Sequence, residues 1–238
     1  MNNNHSIELH KVSQTYSQNE VLSDITLSFS RSSVTALLGK SGSGKSTLLQ
    51  LINGMIKPSK GLVTIFGNDF DYKNANVIRL KIGYVVQQVG LFPHLNLFEN
   101  ISLLGKITKM PKDDILVRVT SLMNTVQLPL SYLTKFPHEL SGGEQQRAGL
   151  CRALFLKPAV LLMDEPFAAL DYATKQAIYN YFLLLQKSEP CTVVFVTHDF
   201  QEAMTLADEY VWLENGKIKS KGTKNDLSSI QSAYLSKV

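Results

Sequence analysis

Little in this 238-residue chain is extreme, and each scarcity removes a class of protein. There are two cysteines, Cys151 and Cys191, far apart and each in an apolar context. Two isolated thiols make no disulfide framework, so a small stapled secreted domain is excluded and a reducing compartment is expected. No apolar run approaches the roughly 18 residues that would span a bilayer, so any membrane role is expected to come through a partner. The first residues, Met1 to His5, lack an apolar signal core and are expected to fray rather than to serve as a leader. The formal charge is only +4 and the basic residues are scattered, so charge alone gives no nucleic-acid surface. No Pro-, Gly- or Ser-rich linker divides the chain, and no internal repeat is visible. A chain with 44% apolar and 18% charged residues remains, able to bury one sizeable core.

What is present begins with Gly39-Lys40-Ser41-Gly42-Ser43-Gly44-Lys45-Ser46-Thr47. An apolar, β-branched run, Val34 to Leu38, precedes it, and a helix-like stretch, Thr47 to Ile52, follows. This strand–loop–helix context is what a phosphate-binding loop of pattern G-x-x-x-x-G-K-[ST] requires. The glycines let backbone N–H groups turn inward around a phosphate, and the helix points its positive end at the same anion. Lys45 is expected to reach the β- and γ-phosphates, and the Ser46 hydroxyl to join a Mg²⁺ shell. A plain turn needs one or two glycines, not three with Lys-Ser at this offset. A nucleoside triphosphate is the expected ligand.

Period-two apolar residues predict strands over 7–12 and 25–29, and further strands are expected at 61–67 and 82–86. From about 96 to 156 the periodicity is helical, punctuated by Pro111, Pro129 and Pro137; Asp113-Asp114 suits a helix start. Strand–helix alternation resumes with the all-apolar Ala159–Met163, typical of a central parallel strand. A helix near 173–187, a strand over 192–196, a helix near 200–207 and a hairpin turning at Asn215-Gly216 complete the pattern. An α/β core interrupted by a helical insertion at about 88–156 is the expected layout.

Asp164 and Glu165 follow the buried strand 159–163. Ligands of doubly wound sheets bind outside such strand ends, so both carboxylates are expected to face the phosphate loop. Asp164 suits the Mg²⁺ shell, and Glu165 suits accepting a proton from, or orienting, an attacking water. Leu140-Ser141-Gly142-Gly143-Glu144 is the next signal. Ser141 with Glu144 reads as a capping box opening a helix over 144–156. That leaves Gly142 and Gly143 unexplained, since glycine in a helix costs about 1 kcal/mol each relative to alanine. Bare amides there fit the close approach of an anion. One nucleotide has little use for two such loops from one chain, but clear use for them from two chains facing each other.

With these motifs in hand, the chain resembles the nucleotide-binding subunit of ABC transporters over essentially its whole length. The phosphate loop, Leu140-Ser141-Gly142-Gly143 and Leu161-Leu162-Met163-Asp164-Glu165-Pro166 are specific together. The resemblance implies an α/β fold with a RecA-like P-loop NTPase core and an antiparallel β subdomain (1–87 and 157–238), plus an inserted α-helical subdomain (88–156). It implies ATP and Mg²⁺ as cofactors. ATP would be held by Tyr16 on the adenine, by Gly39, Ser41, Gly42, Gly44, Lys45, Ser46 and Thr47, and by Ser141, Gly142 and Gly143 of a second copy. Asp171, in Ala169-Leu170-Asp171, is implied in the loop crossing the dimer interface. Gln87, linking core and helical lobe, is implied as a sensor of Mg²⁺ and the γ-phosphate, and His198 as the switch histidine that holds the γ-phosphate and attacking water. The catalytic set is thus Glu165, His198 and Gln87, and the metal set Ser46, Gln87 and Asp164. The signature departs from the commonest family form by carrying Glu144 where Gln is usual.

Three functions compete. A transport ATPase acting through separate membrane subunits fits. A DNA-associated ATPase with the same head would carry a long coiled coil between Gln87 and Ser141, where this chain has a compact helical segment without sustained heptads. A small-molecule kinase has no use for the Ser141-Gly142-Gly143 element. The stretch Ile82–His94 resembles bacterial importers, most closely the glycine betaine/choline osmoprotectant group; polar amino acid importers are similar around Leu91-Phe92-Pro93-His94. The implied partners are a second copy in the ATP-bound state, integral-membrane permease subunits and, indirectly, a substrate-binding protein; no nucleic acid is expected. The implied place is the cytoplasmic face of the cell membrane. The apolar residues of 88–99 (Val89, Leu91, Phe92, Leu95, Leu97, Phe98) are expected to divide between the lobe junction and a groove for a permease helix.

Overall fold

A computed structural model describes residues 4–87, 90–168 and 170–235. The chain lays down strands β1 (His5–Tyr16), β2 (Asn19–Ser30) and β3 (Val34–Leu38), then helix α1 (Lys45–Ile52). Strands β4 (Lys60–Ile65) and β5 (Asn68–Asp69), the short helix α2 (Ala75–Arg79) and strand β6 (Ile82–Val85) follow. Helices α3 (Leu97–Ile107), α4 (Lys112–Thr125) and α5 (Gly142–Leu154) come next. Alternation then resumes through β7 (Val160–Asp164), α6 (Tyr172–Ser188), β8 (Thr192–Thr197) and α7 (Phe200–Leu206). The hairpin β9 (Glu209–Glu214) and β10 (Lys217–Thr223) and the helix α8 (Lys224–Leu235) close the described chain.

The strands form two sheets. The first is antiparallel, in the order β2-β1-β4-β5. The second runs β10-β9-β3-β8-β7-β6, parallel throughout except for β10, which pairs antiparallel at the edge. In the parallel sheet alternate residues serve opposite cores, because successive side chains of a strand point to opposite faces. Leu162 of β7 and Val194 and Val196 of β8 join α1 and the antiparallel sheet in one cluster. Leu161 and Met163 of β7 and Val193 and Phe195 of β8 join α3–α7 in the other. Helix α1 therefore lies between the two sheets, with Leu48, Leu49, Leu51 and Ile52 all buried.

Strands β1 and β2 run well past the period-two stretches expected from sequence. The reason is a parity change in each. Lys11 (φ 49°) and Asp24 (φ 51°) adopt left-handed backbone, and the β1–β2 register shifts between Leu9 and Val12. Buried positions accordingly pass from Ile7 and Leu9 to Val12, and from Leu22 to Ile25, Leu27 and Phe29. A bulge of this kind breaks strict alternation without ending a strand. The other predicted elements appear within a few residues of their expected ends, whereas α2 and α8 have no counterpart among them. Cys151 and Cys191 are both free and buried, and burial pushes each thiol up to about 12. The predicted fraying of the first residues concerns positions 1–3, outside the described residues.

Candidate functional site

The phosphate loop leaves β3 at the carboxyl edge of the parallel sheet. Gly42 has φ +77° with nothing within 4 Å of where a Cβ would stand, so there glycine serves the backbone turn alone. Gly39 serves close approach: a Cβ would stand 2.4 Å from the Leu213 carbonyl oxygen of β9. Helix α1 opens at Gly44 with no side-chain cap and no acidic residue in its first turn, so its leading amides are available to an anion. Ser41, Gly42, Gly44, Lys45, Ser46 and Thr47, with Val21 and Glu165, line a hollow of about 160 Å³.

Lys45 is buried, and its Nζ donates to the carbonyls of Gly39 (2.6 Å) and Lys40 (2.7 Å). Burial lowers its pKa, opposed by the charges of Glu165 and Asp164. Asp164 ends β7 and accepts from Ser46 Oγ at 3.1 Å. Burial raises its carboxyl pKa first, the Ser46 hydrogen bond lowers it, Glu165 raises it and Lys45 lowers it. Beside it, burial pushes the Tyr84 phenol up to about 12, with Asp164 adding to the shift. Glu165 has left-handed backbone (φ 44°), pinned by its amide donating to the Val196 carbonyl at 3.2 Å. Non-glycine residues in this region carry strain and concentrate at functional sites. Its Oε2 accepts from Gln87 Nε2 at 3.1 Å and stands 3.7 Å from His198 Nδ1. Lys45, Ser46, Gln87, Asp164, Glu165 and His198, drawn from three strand ends and one helix start, thus form one cluster.

A second site sits elsewhere on the chain. Ser141 caps α5, its hydroxyl accepting from the Glu144 amide at 3.3 Å. Glu144 returns the bond, accepting from Ser141 N and Oγ, both at 2.8 Å. The Ser141 amide bond is the largest cause of a lowered Glu144 pKa. The predicted capping box is present, and the helix begins at Gly142, so both glycines occupy its first turn. Asp171 caps α6, accepting from Thr174 N (3.0 Å) and Oγ1 (2.6 Å). The Thr174 side-chain bond, then its amide, lower the Asp171 pKa. Ser141, Gly142, Gly143 and Asp171 line one groove of about 430 Å³ with Arg147 and Tyr181. Neither that groove nor the phosphate hollow draws a lining residue from the other.

Tyr16 lies outside both, 43% exposed at the end of β1; Val21, farther along the same hairpin, lines the hollow. Ala169 and Val89 fall outside the described residues. Val21, Leu213 and Thr174 carried no motif signal. Val21 and Leu213 reach the phosphate loop from hairpins distant in sequence, and Thr174 follows Asp171 as an ordinary capping partner would.

A triphosphate with Mg²⁺ fits this chemistry. The loop offers free amides, an ammonium now resting on two carbonyls, and a hydroxyl–carboxylate pair. Among the described residues no group of three or more His, Cys, Asp or Glu is arranged to hold a metal ion by itself. Mg²⁺ suits such a site, since it is commonly held by one or two protein oxygens plus phosphate and water; Ser46 and Asp164 would hold it.

The family model described as ABC transporter matches residues 22–168. The chain belongs to the ABC transporter family. It is 41% identical to a choline transport ATP-binding protein of Bacillus subtilis over 93% of its own length and 58% of the relative's. It is also 41% identical to a probable sulfate/thiosulfate import ATP-binding protein of Chlorella vulgaris, covering 94% of this chain and 93% of that one. Among solved structures, an ATP-binding cassette captured as a dimer in a post-hydrolysis state with ADP and Pi matches with TM-score 0.81. That match is 31% identical and covers 92% of this chain and 98% of that one. The chain therefore spans under two thirds of the length of its choline-transport relative.

Proposed function

We propose that this chain is the ATP-binding and ATP-hydrolysing subunit of an importer, acting with Mg²⁺ at the cytoplasmic face of a membrane. The observation that carries the reading is the Glu165 carboxylate, set between the Gln87 amide and the His198 imidazole beside Lys45, Ser46 and Asp164. Lys45 would exchange its two carbonyl partners for phosphate oxygens, a stronger, charge-assisted pairing. Mg²⁺ when bound neutralises charge on those oxygens. Glu165 would orient the attacking water and take its proton, Gln87 would steady the carboxylate, and His198 would hold water and γ-phosphate from the opposite side.

The signature groove supports a two-fold dimer. Ser141, Gly142 and Gly143 of one copy would complete the hollow of the other, and a C₂ arrangement makes both sites from one self-complementary surface. Asp171 would lie at that interface, and Tyr16 would stack on the adenine. Coupling would run to separate permease subunits, fed by a substrate-binding protein. No described helix is long and apolar enough to cross a membrane. Beyond Gln87, Leu97 is buried and Leu91 and Phe98 pack on the core, while Phe92 is 41% exposed. Phe92 and the partly exposed Leu95 would face a permease helix, and Leu95→Glu should abolish co-purification with the permease while sparing basal hydrolysis.

An osmoprotectant of the glycine betaine/choline type is the substrate we favour, supported by the Ile82–His94 resemblance and the choline-transport relative. Radiolabelled choline and sulfate uptake by cells carrying the chain with its permease tests this; sulfate uptake without choline uptake would overturn the substrate assignment.

A further inference from the structure

Helix α8 is exposed along most of its length, yet Tyr234 near its end is fully buried. Its ring meets Trp212 of β9 edge-on (5.4 Å, 73°) and lies tilted against Phe200 of α7 (5.7 Å, 36°). That packing accounts for a ring; a phenylalanine would serve as well. The hydroxyl needs its own explanation, because a buried O–H without partners is costly. It donates to the main-chain carbonyl of His198 at 3.2 Å. Burial raises the phenol pKa above its ordinary 10.0, which keeps the donated proton in place. The Gly39 backbone lies close to the same oxygen and acts to lower its pKa.

Gly39 and His198 are the first residues beyond adjacent parallel strands. Leu38 ends β3 opposite Thr197 at the end of β8; Gly39 then opens the phosphate loop and His198 follows β8. His198 is exposed, and its Nδ1 stands 3.7 Å from Glu165, beyond hydrogen-bonding reach. The aim of its imidazole is therefore set by its backbone. We infer that Tyr234 is a positioning residue for hydrolysis, its hydroxyl clipping the His198 carbonyl to the buried ring of α8 beside the entrance of the phosphate loop. The inference rests on the ATPase reading above.

The test is Tyr234→Phe in the full chain, which keeps the ring and removes the clip. MgATP turnover should show kcat lowered about fivefold, the effect of one net hydrogen bond, with the KM for ATP unchanged. In a His198→Ala background the same substitution should leave residual turnover within about twofold, because a residue acting through His198 has nothing left to act on. Spectra of protein labelled with ¹⁵N-histidine give a readout that needs no turnover. The His198 signal should move in Tyr234→Phe while those of His5, His10, His94 and His138 stay in place. An unmoved His198 signal, a wild-type kcat, or a kcat loss that persists at full size without His198 would each overturn the inference. A wild-type chain that hydrolyses no ATP would overturn the ATPase reading instead, and the histidine spectra would still decide whether the clip exists.

Discussion

The phosphate hollow and the signature groove use the same device, a helix start behind glycines, and finish it in opposite ways. Helix α1 opens at Gly44 with no side-chain cap and no acid in its first turn. Helix α5 opens with Ser141 and Glu144 satisfying each other, so a carboxylate already sits at its positive end. One region has its cation, hydroxyl and carboxylates gathered within a single chain; the other offers glycine amides behind a capping carboxylate, and its lining cation, Arg147, already donates to the carbonyls of Val126 and Gln127. A complete half beside an incomplete one is the arrangement expected of a site finished by a second copy.

The largest effect should come from Glu165→Gln. Losing a general base typically costs at least about a hundredfold in rate, while ATP binding should survive because the carboxylate does not hold the phosphates. The dimer should then accumulate, as light scattering coupled to size exclusion would show. A monomer at saturating MgATP would break the reading of the two regions as complementary halves.

Lys45→Ala comes next. At about 100 times its dissociation constant, MgATP should stabilise the wild type by roughly 2.7 kcal/mol, and thermal shifts should show little of this in the variant. Ser141→Ala sharpens the contrast. Measured on dilute, monomeric protein, it should keep the full nucleotide-induced shift. If Ser141→Ala lost as much as Lys45→Ala, the groove would belong to its own chain's site.

A smaller effect is expected at Glu144. Its carboxylate, held ionised by the Ser141 amide, opposes an incoming phosphate at the helix start. Glu144→Gln keeps the reach of the side chain and removes the charge, a change of about 0.3–1 kcal/mol for a charge beside a helix end. With two such sites in each dimer, ATP-driven dimerisation should tighten about three- to thirtyfold by sedimentation in low salt; weakened dimerisation would show that the capping bond matters more than the charge.

Legibility in the sequence followed the range of the interactions. The strand–loop–helix over Val34–Ile52 and the turn at Asn215-Gly216 were readable because residues close in sequence dictate them; both turn residues have positive φ, as a tight hairpin requires. Asp164 and Glu165 were readable from the buried strand before them. The left-handed kinks at Lys11 and Asp24 hid the true lengths of β1 and β2, since alternation is the main signal of a half-buried antiparallel strand. Val21, Leu213 and Tyr234 escaped for another reason: each matters through a contact with a segment far along the chain. In α8 the apolar spacing Leu227, Ile230, Tyr234 is a helical stripe, but three residues in a polar stretch make a weak one.

The smallest effect separates what Asp164 costs from what it does. Its folded carboxyl binds a proton more readily than an unfolded one, whose ordinary pKa is near 3.8. Between 3.8 and the raised value the folded state holds more protons, so this group's contribution to stability falls as pH rises through that window and stays low above it. At neutral pH the ionised, partly desolvated carboxylate is thus a standing cost to the nucleotide-free protein. Asp164→Asn keeps a partner for the Ser46 hydroxyl and removes the charge, so the nucleotide-free variant should melt slightly above wild type at pH 7 and converge with it near pH 3.5. Adding MgATP should invert the order, because the wild type gains a Mg²⁺ partner for the same charge and the variant does not. Melting curves over that pH range, with and without MgATP, check both signs. A variant less stable than wild type at pH 7 without nucleotide would show that Lys45 already compensates the charge within the hollow.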